Sequence, residues 1–278
     1  MATTKTLKLE KVTPTVGAVV LDVDLDRLLT DDALPQAVMN AAEEHGALVF
    51  PELHIDDETQ AAFCRKMGDV VSFPAYAIPE IMVISLDPDN PNAEYFKGNV
   101  QWHIDGTQDP IPAKATVLTA KVISPEGGET EFASTYAAYD ALSDEEKERF
   151  ASVRVVHSLE AVQRPVYPNP TPEQVAEWKR RGSKELPLVW THESGRKSLV
   201  LGATADYVVG MDVDEGRALM ADLLERATTP DRVFQHTWSL GDMAMWDNTG
   251  TVHRAMPYDP ASGRTMHRTT IIGHEPIQ

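Results

Sequence analysis

Two residues that can bind a metal ion lie two positions apart in the segment Trp102-His103-Ile104-Asp105. Alternate residues of a β-strand point to the same side, so His103 and Asp105 can present an imidazole nitrogen and a carboxylate oxygen to one ion. A third ligand from a distant histidine would complete a set of two histidines and one carboxylate. That set leaves coordination positions open and is typical of non-haem Fe(II) oxygenases.

The third ligand has to be found elsewhere, because a His-x-Asp pair alone occurs by chance in many proteins. Of the nine histidines, His253 is the best candidate, since it follows Trp246-Asp247-Asn248 by a short turn and precedes Arg264 and Arg268. A hydrogen-bonded structural role is expected for the other histidines. His267 is predicted to face away from the site.

Arg264 and Arg268 have the chemistry needed to hold an acidic ligand beside this metal. The guanidinium fork binds a carboxylate through two parallel hydrogen bonds, which lysine cannot reproduce. The two arginines are four residues apart, a spacing that puts both on one face of an extended strand. A surface location is common for an arginine, but this pair follows His253 closely enough to share its pocket.

The elements that position these residues are predicted from mixed hydrophobic periods, which indicate strands with flanking helices. We predict strands at 17–23, 47–50, 81–85, 115–122, 154–157, 232–238, 243–246 and 265–272. We predict helices at 31–44, 57–67 and 214–227, each with acidic residues near its start. The pattern favours a mainly β fold, a sandwich flanked by α-helices.

The length of 278 residues, 42% of them hydrophobic, predicts a single domain over 1–278 with a large core. Segments 87–101 and 164–187 resist assignment, apart from a short charged helix expected around 173–181. Long irregular segments in a compact domain often cover a site, so both are predicted to be lids. The alternative is that they are surface loops.

Charge and composition exclude several classes of function. A net charge of −18 disfavours nucleic-acid binding, which needs clustered Lys and Arg. No stretch approaches the roughly 20 apolar residues of a membrane span, and the N-terminal residues 1–5 do not resemble a signal peptide, so a cytoplasmic protein is expected. The single cysteine, Cys64, cannot form an internal disulfide and is expected to be a small buried residue of a helix.

Several motifs together resemble the taurine dioxygenase and 2,4-dichlorophenoxyacetate dioxygenase (TauD/TfdA) family of 2-oxoglutarate oxygenases. The resemblance spans nearly the whole chain, and its motifs occur in the family's order and spacing. They lie at residues 17–25, 47–51, 102–107, 127–132 and 246–268.

The resemblance implies that His103, Asp105 and His253 bind Fe(II), with 2-oxoglutarate and O2 as co-substrates. It further implies that Arg264 and the Thr130 hydroxyl bind the distal carboxylate of 2-oxoglutarate. The implied fold is a double-stranded β-helix, the cupin-like jelly roll, with the metal at one mouth. A homodimer or homotetramer is a family-level expectation.

The implied reaction is hydroxylation of an unactivated C–H bond of a small organic substrate, with formation of succinate and CO2. If the hydroxylated carbon carries a heteroatom, a C–O, C–N or C–S bond then breaks. The presence of Asp105 favours oxygenation, because the related halogenating enzymes lack this carboxylate. Arg268 matches an arginine that lies near the metal-binding end of the co-substrate and can reach an acidic substrate.

The substrate pocket is the less familiar half of the site. Its walls are expected to include Phe73, Tyr76, Asn99, Val100 and Tyr207, together with Arg268. The sequence departs from the family at 71–73 and at 198–202. Both departures affect the expected substrate and leave the expected chemistry unchanged.

Two alternatives from other functional classes use the same three ligands. The first is a zinc-type metallohydrolase or isomerase, since zinc sites also combine histidine and carboxylate. The second is a non-catalytic cupin-like binding protein. The arginine pair argues against the first alternative, and the complete set of ligands argues against the second.

Overall fold

The structure is a computed structural model that describes residues 6–278; residues 1–5, where no signal peptide is predicted, lie outside the described residues. Within 6–278 the chain is mainly β-sheet. Its strands are β1 (Leu9–Lys11), β2 (Ala18–Val20), β3 (Ala47–Phe50), β4 (Met82–Ile84), β5 (Ala113–Val122), β6 (Thr130–Ser134), β7 (Arg154–Ser158), β8 (Ser183–Pro187), β9 (Val189–Thr191), β10 (Lys197–Leu199), β11 (Ala205–Val208), β12 (Val233–His236), β13 (Met243–Asp247), β14 (Thr251–Ala255) and β15 (Thr265–Ile272).

Helices flank these strands on both sides. They are α1 (Leu25–Thr30), α2 (Leu34–His45), α3 (Asp57–Arg65), α4 (Ala93–Phe96), α5 (Thr135–Asp140), α6 (Asp144–Phe150), α7 (Leu159–Val166), α8 (Pro172–Arg180) and α9 (Val213–Ala227). Several begin with a side-chain cap, as at Asp56, whose carboxylate accepts from the Thr59 backbone N–H at the start of α3.

Two sheets face each other across the inner core. The larger has the order β1-β2-β3-β13-β5-β15-β4, and the smaller has the order β12-β6-β14. Alternate residues of each strand point into the space between them, where the rings of Phe132 and Trp246 lie 5.5 Å apart. Leu118 and Met266 belong to the same inner core. This is the jelly roll that the sequence resemblance implies.

The outer face of each sheet is covered as well. Helices α1 to α3 pack on the large sheet, where Leu48 and Met245 lie in one core cluster with Val38 of α2 and Phe63 of α3. The outer face of the small sheet packs against α5, α9 and the three-stranded sheet β11-β7-β8. The metal-binding segment runs between these layers, since Trp102 belongs to this second outer core.

The predicted strands and helices are all present, with ends shifted by a few residues. The charged helix expected around 173–181 is α8. Strands β6 and β14 of the small sheet were not predicted. The two segments left unassigned also contain regular structure: α4 lies within 87–101, and α8 and most of β8 lie within 164–187.

Cys64 lies in α3 and is fully buried, as expected, and burial raises the pKa of its thiol to about 12. Among residues 6–278 no helix is long and apolar enough to cross a membrane.

The core of the large sheet predicts a clear stability difference between two leucines. Leu48→Ala empties a fully buried position in β3 and should lower the free energy of unfolding by about 2–5 kcal/mol. Leu29→Ala removes the same atoms from a side chain that is 53% exposed and should change it by less than about 0.5 kcal/mol. Urea denaturation of both variants measures the difference, and equal effects would contradict this layer assignment.

Candidate metal centre

Three side chains form a compact group at one end of the inner core. His103 Nε2 lies 4.0 Å from Asp105 Oδ1, and His253 Nε2 lies 3.8 Å from Asp105 Oδ2. The three potential ligand atoms all lie within 4.8 Å of one another. In the part of the chain that the structure describes, it is the one group of three or more His, Cys, Asp or Glu residues with metal-binding geometry.

Backbone pairing brings the two histidines together. His103 N–H donates to the carbonyl of His253 at 2.9 Å, and His253 N–H donates back at 3.0 Å. This antiparallel bridge adds the 102–103 segment to the free edge of β14. Both imidazoles therefore point the same way, with ring centroids 4.2 Å apart.

A buried hydrogen-bond network fixes the carboxylate. Thr116 of β5 donates its hydroxyl to Asp105 Oδ2 at 2.7 Å, and Asn248 Nδ2 donates to that same threonine oxygen at 3.0 Å. The Asn248 side-chain carbonyl accepts from Trp246 Nε1 at 3.0 Å. The Trp246-Asp247-Asn248 motif thus orients a ligand through Thr116, a residue that sequence reasoning did not identify.

The protonation states suit a metal. Burial acts to raise the pKa of Asp105, but the positive charge of Arg268, the two histidines and the Thr116 hydrogen bond outweigh it and hold this pKa well below its ordinary value. Burial, and next the adjacent His103, lower the pKa of His253 well below its ordinary value, so this imidazole is neutral.

The histidine tautomer also fits. His103 Nδ1 lies 2.7 Å from the carbonyl of Gln101, which can only accept, so Nδ1 carries the proton and Nε2 keeps its lone pair for a metal. Two neutral imidazole nitrogens and one carboxylate oxygen are the donors of non-haem Fe(II) sites. The residues present therefore fit this ion.

Arg268 lies directly beside the group. On β15 its side chain faces the inner core, with Nη1 3.3 Å from Asp105 Oδ1 and Nη2 3.3 Å from Met82 Sδ. Its buried Nε–H has no hydrogen-bond partner among residues 6–278. His267, the next residue back, points to the other face and bonds Asp57 of α3 at 2.7 Å, which confirms its predicted orientation.

Arg264 and Thr130 are both buried, and Arg264 contacts the chain just before Thr130. Arg264 is only 4% exposed, its Nη2 donates to the carbonyl of Gly128 at 2.8 Å, and its guanidinium stacks 4.7 Å from the ring centre of Tyr258. Thr130 is equally buried and accepts from Trp238 Nε1 at 3.0 Å. Burial lowers the pKa of Arg264, but a guanidinium stays charged.

The loop with Phe73 and Tyr76 borders the same edge of the large sheet. The loop begins at Val71, whose N–H donates to the carbonyl of Thr270 on β15. It ends at Met82, which pairs with Arg268 on the same strand. The two rings meet edge to face at 6.4 Å.

The two predicted lid segments touch each other. The Tyr167 hydroxyl donates to the Glu94 carboxylate, and Gln101 Nε2 donates to the carbonyl of Val162, just before the second segment, at 2.7 Å. Lys184 Nζ donates to the carbonyl of Asp109, in the loop that follows the metal-binding segment.

Tyr95 was missed by sequence reasoning. Its side chain is 60% exposed, yet surrounding protein raises its pKa by desolvation, and the charges of Arg268, Asp105 and Asp109 act on it. Only its place in segment 87–101 could have pointed to it.

The other predicted pocket residues are less closely grouped. Val100 lines a groove of about 410 Å³ with Trp102 and Arg254, and none of the described residues along it is a member of the metal-binding group. Asn99 is half-buried in the 3-10 turn Lys97–Val100, and Tyr207 lies in β11 opposite Val156.

Comparisons with known proteins agree with this geometry. Residues 8–270 match the family described as Taurine catabolism dioxygenase TauD, TfdA family. An (S)-phenoxypropionate/alpha-ketoglutarate-dioxygenase of Sphingobium herbicidovorans is 36% identical over 269 residues, which cover 93% of this chain and 92% of the relative. An alpha-ketoglutarate-dependent 2,4-dichlorophenoxyacetate dioxygenase of a Burkholderia species is 32% identical, with 90% of each chain covered.

A solved structure supports the fold over the full length. The crystal structure of AAD-2 in complex with Mn(II) and N-oxalylglycine matches with a TM-score of 0.83 and 35% identity. The match covers 99% of this chain and 100% of that one.

Gly128, the second residue of the Gly127-Gly128 pair, lies so close to Arg264 that it allows a test of how the arginine side chain is positioned. Gly128 has φ +81°, and a Cβ there would lie 2.7 Å from Arg264 Nε. Gly182 has a similar φ of +77° but open space around it. Alanine at either position carries the left-handed backbone penalty, so Gly128→Ala should destabilise the protein by about 1–3 kcal/mol more than Gly182→Ala. Urea unfolding measures the gap; matching values would mean that Arg264 does not need this glycine.

Proposed function

Because the chain belongs to the TauD/TfdA family and is a 2-oxoglutarate-dependent non-haem iron dioxygenase, we propose that it hydroxylates a C–H bond of a small organic acid, with His103, Asp105 and His253 as its Fe(II) ligands. The observation that carries the assignment is the group of two imidazoles and one carboxylate whose potential ligand atoms lie within 4.8 Å of one another. The relatives are dioxygenases, which favours this function over a zinc hydrolase or a binding protein.

Bound Fe(II) supplies the oxidative chemistry of O2 and 2-oxoglutarate, from which succinate and CO2 form. The protein holds the reactants in place. Thr116 and Asn248 keep the Asp105 carboxylate turned toward the two histidines, and the His103–His253 backbone bridge fixes the imidazoles. Such preorganisation contributes to rate because little has to move during the reaction.

Arg264 and Thr130 bind the distal carboxylate of 2-oxoglutarate in this proposal. Arg264 is a buried cation that donates to a backbone carbonyl and stacks on a tyrosine, so an added carboxylate would supply a counter-charge in direct contact with the buried guanidinium. Thr130 contributes a hydroxyl from β6.

Arg268 receives the acid group of the substrate. Its Nε–H is buried without a partner among the described residues, and a carboxylate is an acceptor that would satisfy it. The relatives named for phenoxypropionate and 2,4-dichlorophenoxyacetate make aryloxyalkanoates the first class to test.

The remaining walls of the pocket lie outside the two facing sheets. Phe73, Tyr76, Asn99, Val100 and Tyr207 remain the predicted substrate contacts, and Tyr95 joins them on the basis of its place in segment 87–101. Segments 87–101 and 164–187 act as lids that exclude water, and their mutual contacts at Glu94 and Tyr167 favour a shared movement. The enzyme works as a cytoplasmic homodimer or homotetramer, which size-exclusion chromatography with light scattering would test.

The metal and co-substrate sites are tested by anaerobic titration of the protein with Fe(II) and then 2-oxoglutarate. A weak visible charge-transfer band should appear in the wild type and be lost in Asp105→Ala. Arg264→Ala should weaken 2-oxoglutarate binding by about tenfold to a hundredfold, because charge-assisted hydrogen bonds are lost, and leave Fe(II) binding unchanged.

Arg180→Ala is the matched control, since Arg180 is 75% exposed and pairs only with Glu177 among the described residues. Equal loss of Fe(II) and 2-oxoglutarate affinity in Arg264→Ala would contradict its assigned role. Absence of the band in folded wild-type protein would overturn the metal assignment.

The acid specificity is tested with aryloxyalkanoates and their primary amides. Arg268→Gln should lower kcat/KM for the acid by at least about tenfold, because a charge-assisted hydrogen bond is lost, while the smaller rate with the amide should change little. Substrate-dependent succinate release provides the measurement. If kcat/KM falls in the same proportion for the acid and the amide, Arg268 does not recognise the charge of the substrate.

A further inference from the structure

Trp238 touches the proposed co-substrate site through a single polar contact. Its indole N–H donates to Thr130 Oγ1 at 3.0 Å, and both side chains are buried. Trp238 follows β12, whose His236 pairs with Thr130 itself in the sheet register. The contact therefore joins two neighbouring strands inside the inner core.

The direction of this hydrogen bond decides where the threonine proton points. An indole N–H can only donate, whereas a hydroxyl has one proton to give and two lone pairs. Trp238 occupies one lone pair of Thr130 and cannot accept its proton. Among residues 6–278 the Thr130 hydroxyl donates to no other group, so the proton is left for a ligand.

The tryptophan is itself held in place. Its ring meets the His236 ring edge-on, with centroids 4.7 Å apart, and His236 Nε2 lies 3.0 Å from Asp242 Oδ2. The Asp242 carboxylate accepts backbone N–H bonds from Ser239 at 2.8 Å and from Glu52 at 2.9 Å. A fixed turn therefore sets the position of the indole.

The side chains of both proposed co-substrate residues are positioned by the segment 128–130. Arg264 donates to the carbonyl of Gly128, two residues before Thr130. An acceptor that reaches both side chains would receive an arginine N–H and a threonine O–H, as a carboxylate can.

We infer that Trp238 is a positioning residue, which turns the Thr130 hydroxyl so that it donates to the distal carboxylate of 2-oxoglutarate. The inference rests on the proposed role of Thr130. Trp238 touches neither metal nor substrate in it and acts only through the threonine. This positioning role distinguishes Trp238 from a tryptophan that only fills the core.

The test compares Trp238→Phe, Thr130→Val and the double variant in anaerobic 2-oxoglutarate binding to the iron-loaded enzyme, measured by calorimetry. Trp238→Phe removes the N–H and should raise the 2-oxoglutarate Kd by about threefold to tenfold, with kcat at saturating co-substrate unchanged. Thr130→Val should raise the Kd as well. The double variant should bind no more weakly than Thr130→Val, because the tryptophan acts through the hydroxyl.

Two controls separate positioning from packing. Trp190→Phe makes the same substitution at a buried indole whose N–H has no partner among the described residues, and should leave binding unchanged. 2-Oxobutyrate lacks the distal carboxylate, so its weaker binding should be the same in the wild type and in Trp238→Phe. Benzothienylalanine at position 238 keeps the ring size without the N–H and should reproduce the Trp238→Phe effect if that variant folds poorly.

The outcomes are distinct. If Thr130→Val weakens binding and Trp238→Phe does not, the positioning role is overturned while the proposed function stands. Fully additive losses in the double variant, or equal loss of 2-oxobutyrate binding, would also overturn it. Normal 2-oxoglutarate binding by Thr130→Val would overturn the proposed co-substrate site together with the inference.

Discussion

The pair of backbone hydrogen bonds between His103 and His253 is the constraint on which the rest of the site depends. These residues lie in distant parts of the chain, and only the jelly roll brings the edge of β14 to the 102–103 segment. Once these two segments are paired, the alternation of side chains between the two faces decides which side chains meet. His253 and Phe132 face the inner core, whereas the neighbouring Val252 and Ala133 belong to the outer one. A shift of one residue in this register would turn the histidine away from Asp105.

A buried carboxylate creates a second constraint, because an ionised Asp105 needs compensation when it is withdrawn from water. The fold supplies it from three directions: Arg268 on β15, Thr116 on β5 and the two imidazoles. Because this compensation keeps Asp105 ionised, the site is also suited to bind a cation. Arg268 therefore has two roles in the proposed enzyme, as a counter-charge for Asp105 and as a receptor for the substrate acid, and its position on β15 keeps it within reach of both.

Much of this could be predicted from the sequence, for identifiable reasons. The ligands were found because His103, Asp105 and His253 carry distinctive chemistry and sit in recognisable motifs. Long strands such as β5 and β15 were found because their Val, Ile and Thr residues favour strands. Strands β6 and β14 were missed because they are short and mix buried polar residues such as Thr130 and His253 with apolar ones, so no clean period remains. Their polar residues belong to the site, which is where local patterns are expected to break down.

The contacts that orient the ligands were beyond sequence reasoning, because they join residues with no common motif. Nothing in the sequence relates Thr116 to Asp105, or Trp238 to Thr130, until two sheets face each other. The substrate half of the pocket is harder still. Most of its proposed walls lie in segments 71–81 and 87–101, whose conformations depend on contacts such as Tyr167 with Glu94 and not on a repeating pattern. Residues on or beside the strands of the two facing sheets thus hold the shared chemistry in this fold, and the segments outside these sheets are left free to set the substrate.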